Sequence, residues 1–556
     1  MAVLRVLMLV AFMLDCILRN TASAQSVPPS AKAGVLASNQ FKKQTLKEYD
    51  RILHIIEWEY PQGRPQMPAT SKVYVETFVF SGNSVVSTRS LQKLTAADTH
   101  QEITFADLSA VAGKITEYYH KQGYFLAKAY VPPQDIRNKK VSIEIIEGRL
   151  GEVGIMGARD KKLVLKILER YFHPAKNNVL HYQSLLRSIL VINENTSLNI
   201  KTYLQKGHHN LVDIIVQVEE KKQWEVQSIF DNYGSRFVSR QRESVELTKT
   251  NAILSGDKLT ITDGTGFPWG ALEFAQVDYS ELLNSYGTRL GFSYFWLDSN
   301  VQGQFRVLNA VGTSAIYSFS LNQPLIKTID TNVQASLNFD IKDIRNGLLG
   351  AVSSKDDLRN VRIELSGDHL DSFYGRNSYL SQVTLGIPDI LSGSAVDNPL
   401  ASRLGASSRF EKYFLQADRT QALPMDVTAF LRGAYQFTPD ILTSVEEFSI
   451  GGVDTVRGYP ESEALGDEGA FVSLEFRRPV YKDILTLTAF LDYGSVRLKE
   501  PQPGERKTQE LLGTGPGALI AIHKNISAKL DLGFPIGHKP SDVAKATLYF
   551  QVIIKF

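Results

Sequence analysis

Two short stretches near the end of the chain hold side chains whose types and spacing could do chemistry. The first is GGVDTVRGYP, residues 451–460. Its three glycines and a proline keep it out of the middle of any strand or helix. One arginine, Arg457, stands between Val456 and the Gly458–Tyr459 pair, odd company for a solvated turn. The second is FLDYG, residues 490–494, inside LTLTAFLDYG. In an extended chain Leu485, Leu487, Ala489, Leu491 and Tyr493 share one face, and Thr486, Thr488, Phe490 and Asp492 share the other. If that sheet closes into a tube, Asp492 faces the lumen, where a carboxylate needs water or a cation. Arginine is a better partner than lysine, because its planar fork engages both oxygens. The chemistry on offer is ion pairing.

Nothing else in the chain reads as a reactive constellation. GTGPGA (513–518) lacks the Gly-Lys-Ser/Thr ending of a phosphate loop, so its glycines are assigned to strand curvature. No HExxH zinc motif and no G-x-S-x-G elbow occurs. Cys16 is the sole cysteine, which excludes disulfides and thiolate metal sites. No catalytic residue, cofactor or metal is expected, and the chain is read as a non-enzyme. With 61 basic against 59 acidic residues the net charge is +2, and no basic stripe suggests a nucleic-acid partner.

The elements that must position these residues fall in order along the chain. Residues 1–24 read as a signal peptide: Arg5, an apolar run over 6–14, then Ala22-Ser23-Ala24 as a small-x-small cleavage site. No later stretch offers the roughly 20 apolar residues of a spanning helix, so a membrane form must be a closed barrel. Residues 25–72 hold an expected helix, with Leu46, Tyr49, Ile52, Leu53 and Ile56 on one stripe, and then the proline-rich linker PQGRPQMPATS.

Residues 73–149 read as a small mixed domain. A strand over 73–80 precedes a helix with Thr104 and Asp107 at its cap and Gly123 at its stop. Two further strands follow, the last alternating Val141, Ile143 and Ile145 with polar residues. Residues 150–222 repeat the order: a strand at 150–156, helices near 160–171 and 182–193, and two strands. The last of these carries Val212, Ile214, Val216 and Val218 on one side. Sheet edges in such units can take up an extended peptide as an added strand.

From 223 to 556 helical periodicity vanishes. Segments of about ten residues alternate apolar and polar, separated by Gly, Asn, Asp and Ser clusters. The last of them sets Leu548, Phe550, Val552, Ile554 and Phe556 against Tyr549, Gln551, Ile553 and Lys555. At roughly 20 residues per strand and turn the region holds about 16 strands. The fold class is therefore α+β modules followed by an all-β transmembrane antiparallel barrel.

In this order of parts the sequence resembles the outer-membrane transporters of two-partner secretion, the haemolysin secretion/activation and filamentous haemagglutinin transporter (TpsB-type) family. The wider group of barrel-assembly barrels is similar too. VRGY at 456–459 and FLDYG at 490–494 carry the resemblance, with DNYGSR (231–236) opening the barrel and the terminal Phe556. The resemblance implies two POTRA domains, at 73–149 and 150–222. It also implies an inward-folded loop carrying Val456, Arg457, Gly458 and Tyr459. Arg457 would pair with Asp492, on the strand that also holds Phe490 and Gly494, and Phe556 would be an assembly signal.

The function implied is export of a large unfolded partner exoprotein, an adhesin or haemolysin type, from periplasm to cell surface without nucleotide. The N-terminal helix would plug the pore. Other implied partners are outer-membrane lipids and the barrel-assembly machinery during biogenesis. A barrel-assembly-type insertase is the alternative, weakened by room for only two POTRA domains. A diffusion porin would need no such modules, and no long aromatic surface loop marks a receptor or adhesin.

Overall fold

The computed structural model describes residues 53–55 and 72–556, apart from 137, 177, 209, 210, 236 and 483. The expected signal peptide, most of the expected plug helix and the expected proline-rich linker lie outside the described residues. The chain forms two compact units, one made of two small mixed modules and one a barrel.

At 53–55 the helix reading is corrected. These residues form a short strand, β1 (Leu53–Ile55), parallel to Thr202–Leu204. The helical stripe loses there to an open sheet edge, whose unpaired N–H and C=O groups accept any extended backbone.

In the first module the expected single strand over 73–80 is two, β2 (Lys72–Val75) and β3 (Thr77–Ser81). Helix α1 (Thr88–Thr95) leads to β4 (Gln101–Thr104), which pairs with β2. Helix α2 (Phe105–Lys121) starts with a capping box in which Thr104 and Asp107 satisfy each other's backbone donors. After it, β5 (Lys128–Tyr130) and β6 (Lys140–Ile146) complete a three-stranded sheet with β3. Ile115 and Tyr119 of α2 pack on Val141, Ile143 and Ile145 of β6.

One carboxylate is buried in that module. Glu147 accepts from Ser84 N (2.7 Å), Val85 N (3.0 Å) and the Tyr119 hydroxyl (2.9 Å), and also from Ser84 Oγ. Burial and the neighbouring Glu147 charge push the Tyr119 phenol well above its usual range.

The second module repeats the order with β7 (Arg149–Met156), α3 (Lys161–Tyr171), the short β8 (Ala175–Lys176) and β9 (Val179–Leu180), and α4 (Tyr182–Asn195). Then β10 (Leu198–Lys206) and β11 (Leu211–Glu220) close a sheet ordered β1-β10-β11-β7-β9-β8. Val212, Ile214, Val216 and Val218 face its core.

Sixteen antiparallel strands make the closed barrel. The first are β12 (Trp224–Asp231), β13 (Gln241–Thr250), β14 (Lys258–Phe267), β15 (Leu272–Leu282) and β16 (Arg289–Asn300). The longest follow: β17 (Val311–Lys327), β18 (Thr331–Leu348) and β19 (Ala351–Leu370). Next come β20 (Arg376–Gly386), β21 (Glu411–Ala422) and β22 (Thr428–Phe437). A hairpin of β23 (Phe448–Ile450) and β24 (Ala464–Gly466) lies outside the wall sheet. The wall resumes with β25 (Glu468–Tyr481), β26 (Leu485–Arg497), β27 (Thr508–His523), β28 (Ile526–Ile536) and β29 (Thr547–Lys555). The two long connections 387–410 and 438–467 leave the barrel from the same end.

The wall is inside-out relative to a water-soluble protein. Leu337, Ile363, Leu415, Leu487, Leu491 and Leu548 are exposed, whereas Asn338, Asp340, Gln436, Thr488, Asp492 and Asp531 are buried. One closed sheet leaves no second sheet to cover the apolar face, so lipid must cover it. The seam where β12 meets β29 has five register pairs, Gln227↔Lys555 to Asp231↔Gln551. Asn232 of DNYGSR extends it: its Nδ2 donates to Leu548 O at 2.8 Å, and its Oδ1 accepts from Phe550 N at 2.8 Å.

Glu147 yields a direct prediction. Glu147→Ala strands two backbone donors and a phenol, a loss of about 3–5 kcal/mol by the cost of breaking a buried charged network. Hydrogen exchange on the whole protein should show α2 amides exchanging at least about a hundredfold faster, with barrel amides unchanged.

Candidate functional site: a loop clamped in the lumen

The connection 438–467 folds into the barrel. Its hairpin packs Phe448, Ile450, Val456, Tyr459 and Ala464 against Ala434, Phe471, Val496 and Leu511 of the wall, an apolar core inside the tube. At the hairpin tip lies VRGY.

Arg457 is 4% exposed and spends every part of its side chain on the wall. Nε donates to Asp492 Oδ2 at 2.7 Å and Nη2 to Asp492 Oδ1 at 2.9 Å, the two-pronged contact that only a guanidinium makes. The backbone N–H of Arg457 reaches the same carboxylate at 3.1 Å. Nη1 donates to Glu475 Oε2 at 2.7 Å and to Asp531 Oδ2 at 3.4 Å. Ser473 Oγ, at 2.6 Å, holds Asp492 Oδ1 in place. The Phe490 ring lies beneath the guanidinium, its centroid 3.4 Å from Cζ, so the flat face of the cation is covered as well.

The arginine therefore sits among three carboxylates. Two further cations keep the cluster near neutral: Arg477 Nε bonds Glu475 Oε1 at 2.7 Å, and Lys529 Nζ lies 3.1 Å from Asp531.

The rest of the motif is held by backbone. Gly458 N donates to the Tyr549 hydroxyl at 3.1 Å, and that hydroxyl donates to Tyr459 O at 2.6 Å. The Tyr459 hydroxyl reaches Ile536 O (3.2 Å) and His538 O (3.1 Å). Gly458 has φ +102°, and a Cβ there would lie 2.8 Å from Phe534 C. The tip needs glycine both for its turn and for its closeness to β28.

Seven of the sequence-derived residues, Val456, Arg457, Gly458, Tyr459, Phe490, Asp492 and Gly494, thus meet at one place. A Cβ on Gly494 would come within 2.9 Å of both Ile450 and Val456, so the hairpin lies directly on that strand. Phe556 is elsewhere: it is exposed, and its N–H bonds Val226 O at 2.9 Å beside the seam.

Sequence reasoning missed Glu475, Asp531, Ser473 and Tyr549. Strand alternation marks all four as inward, but no motif singles them out. It also misread Gly513 of GTGPGA as a curvature glycine. A Cβ at 513 would lie 1.9 Å from the Arg457 carbonyl oxygen, so this glycine makes room for the loop tip.

Comparison with known proteins gives the family and the fold. Residues 211–519 match the model of the haemolysin secretion/activation protein family ShlB/FhaC/HecB, and residues 73–148 match the ShlB-type POTRA domain. The heme/hemopexin transporter protein HuxB of Haemophilus influenzae is 23% identical over 467 residues, 82% of each chain. The outer membrane transporter CdiB of Escherichia coli is 22% identical over 97% of this chain and 93% of its own.

Among solved structures, CdiB from Escherichia coli superposes with a TM-score of 0.76 at 19% identity, covering 96% of this chain and 99% of that one. BamA from Haemophilus ducreyi lacking POTRA domains 1–3 is a more distant likeness, TM-score 0.50 at 13% identity over 87% of this chain and all of that one. These likenesses concern the fold; the family model, spanning more than half the chain, carries the assignment. The chain belongs to the haemolysin secretion/activation family of ShlB/FhaC/HecB type, outer-membrane transporters that export a partner protein.

Proposed function

We propose that this transporter exports a large, unfolded exoprotein of adhesin or haemolysin type, and that the VRGY loop is the part that must move. The observation that carries the reading is the Arg457 cluster, which holds a loop across the path of the client. Polar clamps suit a part that moves. When the loop withdraws, water or client backbone can take over every donor and acceptor it leaves.

Residues 150–222, taken as the second POTRA domain, and 73–149, taken as the first, receive the client in the periplasm. Support comes from β7: over Val153–Met156 it pairs with β11 on one side, while on the other its backbone bonds stop at Arg149, opposite Val179, and Leu150, whose N–H bonds Asn178 O at 2.6 Å. Val153 and Met156 of that strand are exposed, so an extended client segment can add backbone bonds and apolar contacts together. The edge of β10 at 202–204 is covered by β1.

Export then proceeds with the chain extended, and folding outside biases it against return, with no nucleotide used. The apolar outer face meets outer-membrane lipids. Phe556, exposed at the end of the last strand, is assigned to recognition by the barrel-assembly machinery. The segment before residue 53 is assigned to plugging the pore.

Arg457→Ala is expected to cut client in the culture medium by at least about tenfold at equal amounts of folded barrel, since it leaves three buried carboxylates short of a cation. Arg457→Lys should fall close to it, because one ammonium cannot serve Asp492 with both prongs and still reach Glu475. Exchanging the charges, Arg457→Asp with Asp492→Arg, should not restore export. An aspartate at 457 would still face Glu475 and Asp531. Export by the exchanged variant near wild type would reduce the cluster to a simple pair. For the plug, deleting residues 25–50 should raise planar-bilayer conductance several-fold, and unchanged conductance would remove that role.

A further inference from the structure

The root of the inward loop carries a second charged clamp that no motif announces. Glu446 is 2% exposed. Its Oε1 accepts from Lys342 Nζ on β18 at 2.6 Å and from Asn360 Nδ2 on β19 at 2.9 Å. Its Oε2 accepts from Lys412 Nζ on β21. Lys412 Nζ also reaches the Glu446 carbonyl at 3.2 Å, and Gln436 Nε2 on β22 reaches the same oxygen at 3.0 Å. Four wall strands converge on one loop residue.

Its neighbour does something different. Glu447 takes Arg403 of the 387–410 connection at 3.1 Å, and the same guanidinium reaches Asp467, at the far end of the loop, at 2.5 Å. Asp467 in turn accepts from Leu442 N at 2.7 Å and Lys499 N at 2.8 Å. This set ties the two ends of the loop to each other and to neighbouring loops. It keeps the loop in shape without fixing it across the lumen. Glu446 is the loop acid that grips the β18–β21 wall.

We propose that Glu446 is a positioning residue for export, a second latch of opposite polarity to Arg457. The tip places a cation among wall carboxylates on β25, β26 and β28; the root places an anion between wall ammoniums on β18 and β21. In the closed strand order β18 and β21 precede β22, where the loop leaves the wall, and β25, β26 and β28 follow it, so the loop is held on both flanks of its own attachment. One anchor alone would let the loop swing about its attachment; two set its position across the pore.

The residue types argue for a latch over a packing role. A buried ion pair adds little net stability compared with apolar side chains of the same volume. What it supplies is direction and release. Lys342 and Lys412 attract one carboxylate in one place, and water can replace each contact as the lumen wets. The reversed polarity also keeps the loop from docking backwards, since the root acid would be repelled by the Asp492 wall and Arg457 by the two lysines.

The inference rests on the reading that this loop moves during export, so the test includes Arg457→Ala as its reference. Full-length Glu446→Gln, Glu446→Lys and Glu446→Lys/Lys342→Glu/Lys412→Glu are compared with wild type. The readouts are folded barrel by heat-modifiable migration, channel opening in planar bilayers, and client in the medium. Glu446→Gln keeps the shape and loses the charge, so it should fold and open about threefold more often or more; Glu446→Lys should open about tenfold more often. Changing both Lys342 and Lys412 to Glu in the same chain inverts the whole clamp, because a lysine at 446 facing either remaining lysine would still be repelled. It should return opening and export to within about twofold of wild type, a rescue that a space-filling role would not give.

Wild-type opening and export in both single variants, or no rescue in the fully inverted variant, would overturn the latch. If Arg457→Ala is defective while the Glu446 single variants behave as wild type, the second latch alone fails. If Arg457→Ala also exports normally, the moving-loop reading falls with it.

Discussion

The site depends on one constraint: a guanidinium held out of water must have its donors met, and here three wall carboxylates meet them. Much of the local geometry follows. The backbone can bring Arg457 to Asp492 only if the tip turns with φ +102° at Gly458 and if β27 carries no side chain at Gly513. Phe490 must sit beneath the cation, because any polar face left bare there would need water in a packed space. Replacing any of these disturbs the same contact. This explains why residues so different in chemistry, from two glycines to a phenylalanine, form one functional unit.

A second constraint is set by the membrane. Lipid requires the outer face of each strand to be apolar, and strand alternation then assigns every second residue to the lumen. The lumen is therefore where charges of the barrel wall gather, and the inward loop meets them there. The division is visible within single strands: Leu487 and Leu491 of β26 face out while Thr488 and Asp492 face in. The loop's own apolar residues, Phe448, Ile450, Val456 and Tyr459, find partners where the wall offers Phe414, Ala434, Phe471, Val496 and Leu511 inward.

How much of this was legible in the sequence depended on whether the signal was periodic or relational. The barrel was, since alternation over β26 and β29 survives in the sequence whatever the register. The α2 cap was too, because Thr104 and Asp107 signal locally. Arg457 and Asp492 stood out by their surroundings, and family resemblance joined them. Glu475 and Asp531 did not stand out, because one inward acid resembles another until the strands are set in register. Gly513 was misassigned for the same reason: only the approach of the Arg457 carbonyl distinguishes a gap made for a loop from a bend in a strand. The strand at 53–55 escaped notice because its cause lies on β10, almost 150 residues away in sequence. Glu446 gave no signal at all, as its two lysines come from β18 and β21.

The loop is thus bound by two kinds of force with different consequences. Its apolar hairpin contributes affinity that falls smoothly with exposed area and has little directional preference, on the order of 1.5–3 kcal/mol for each large side chain fully buried. That part sets how much a client must offer in exchange to displace the loop. The ionic contacts at Arg457 and Glu446 add less net energy but demand particular distances and angles. They set where the loop returns once the client has passed. A transporter without a nucleotide motor needs both properties, a barrier low enough for binding energy to overcome and a closed state specific enough to reseal. Apolar packing alone would supply the first with several near-equivalent seats for the loop. Opposite charges on the two flanks of the loop's attachment reduce those seats to one.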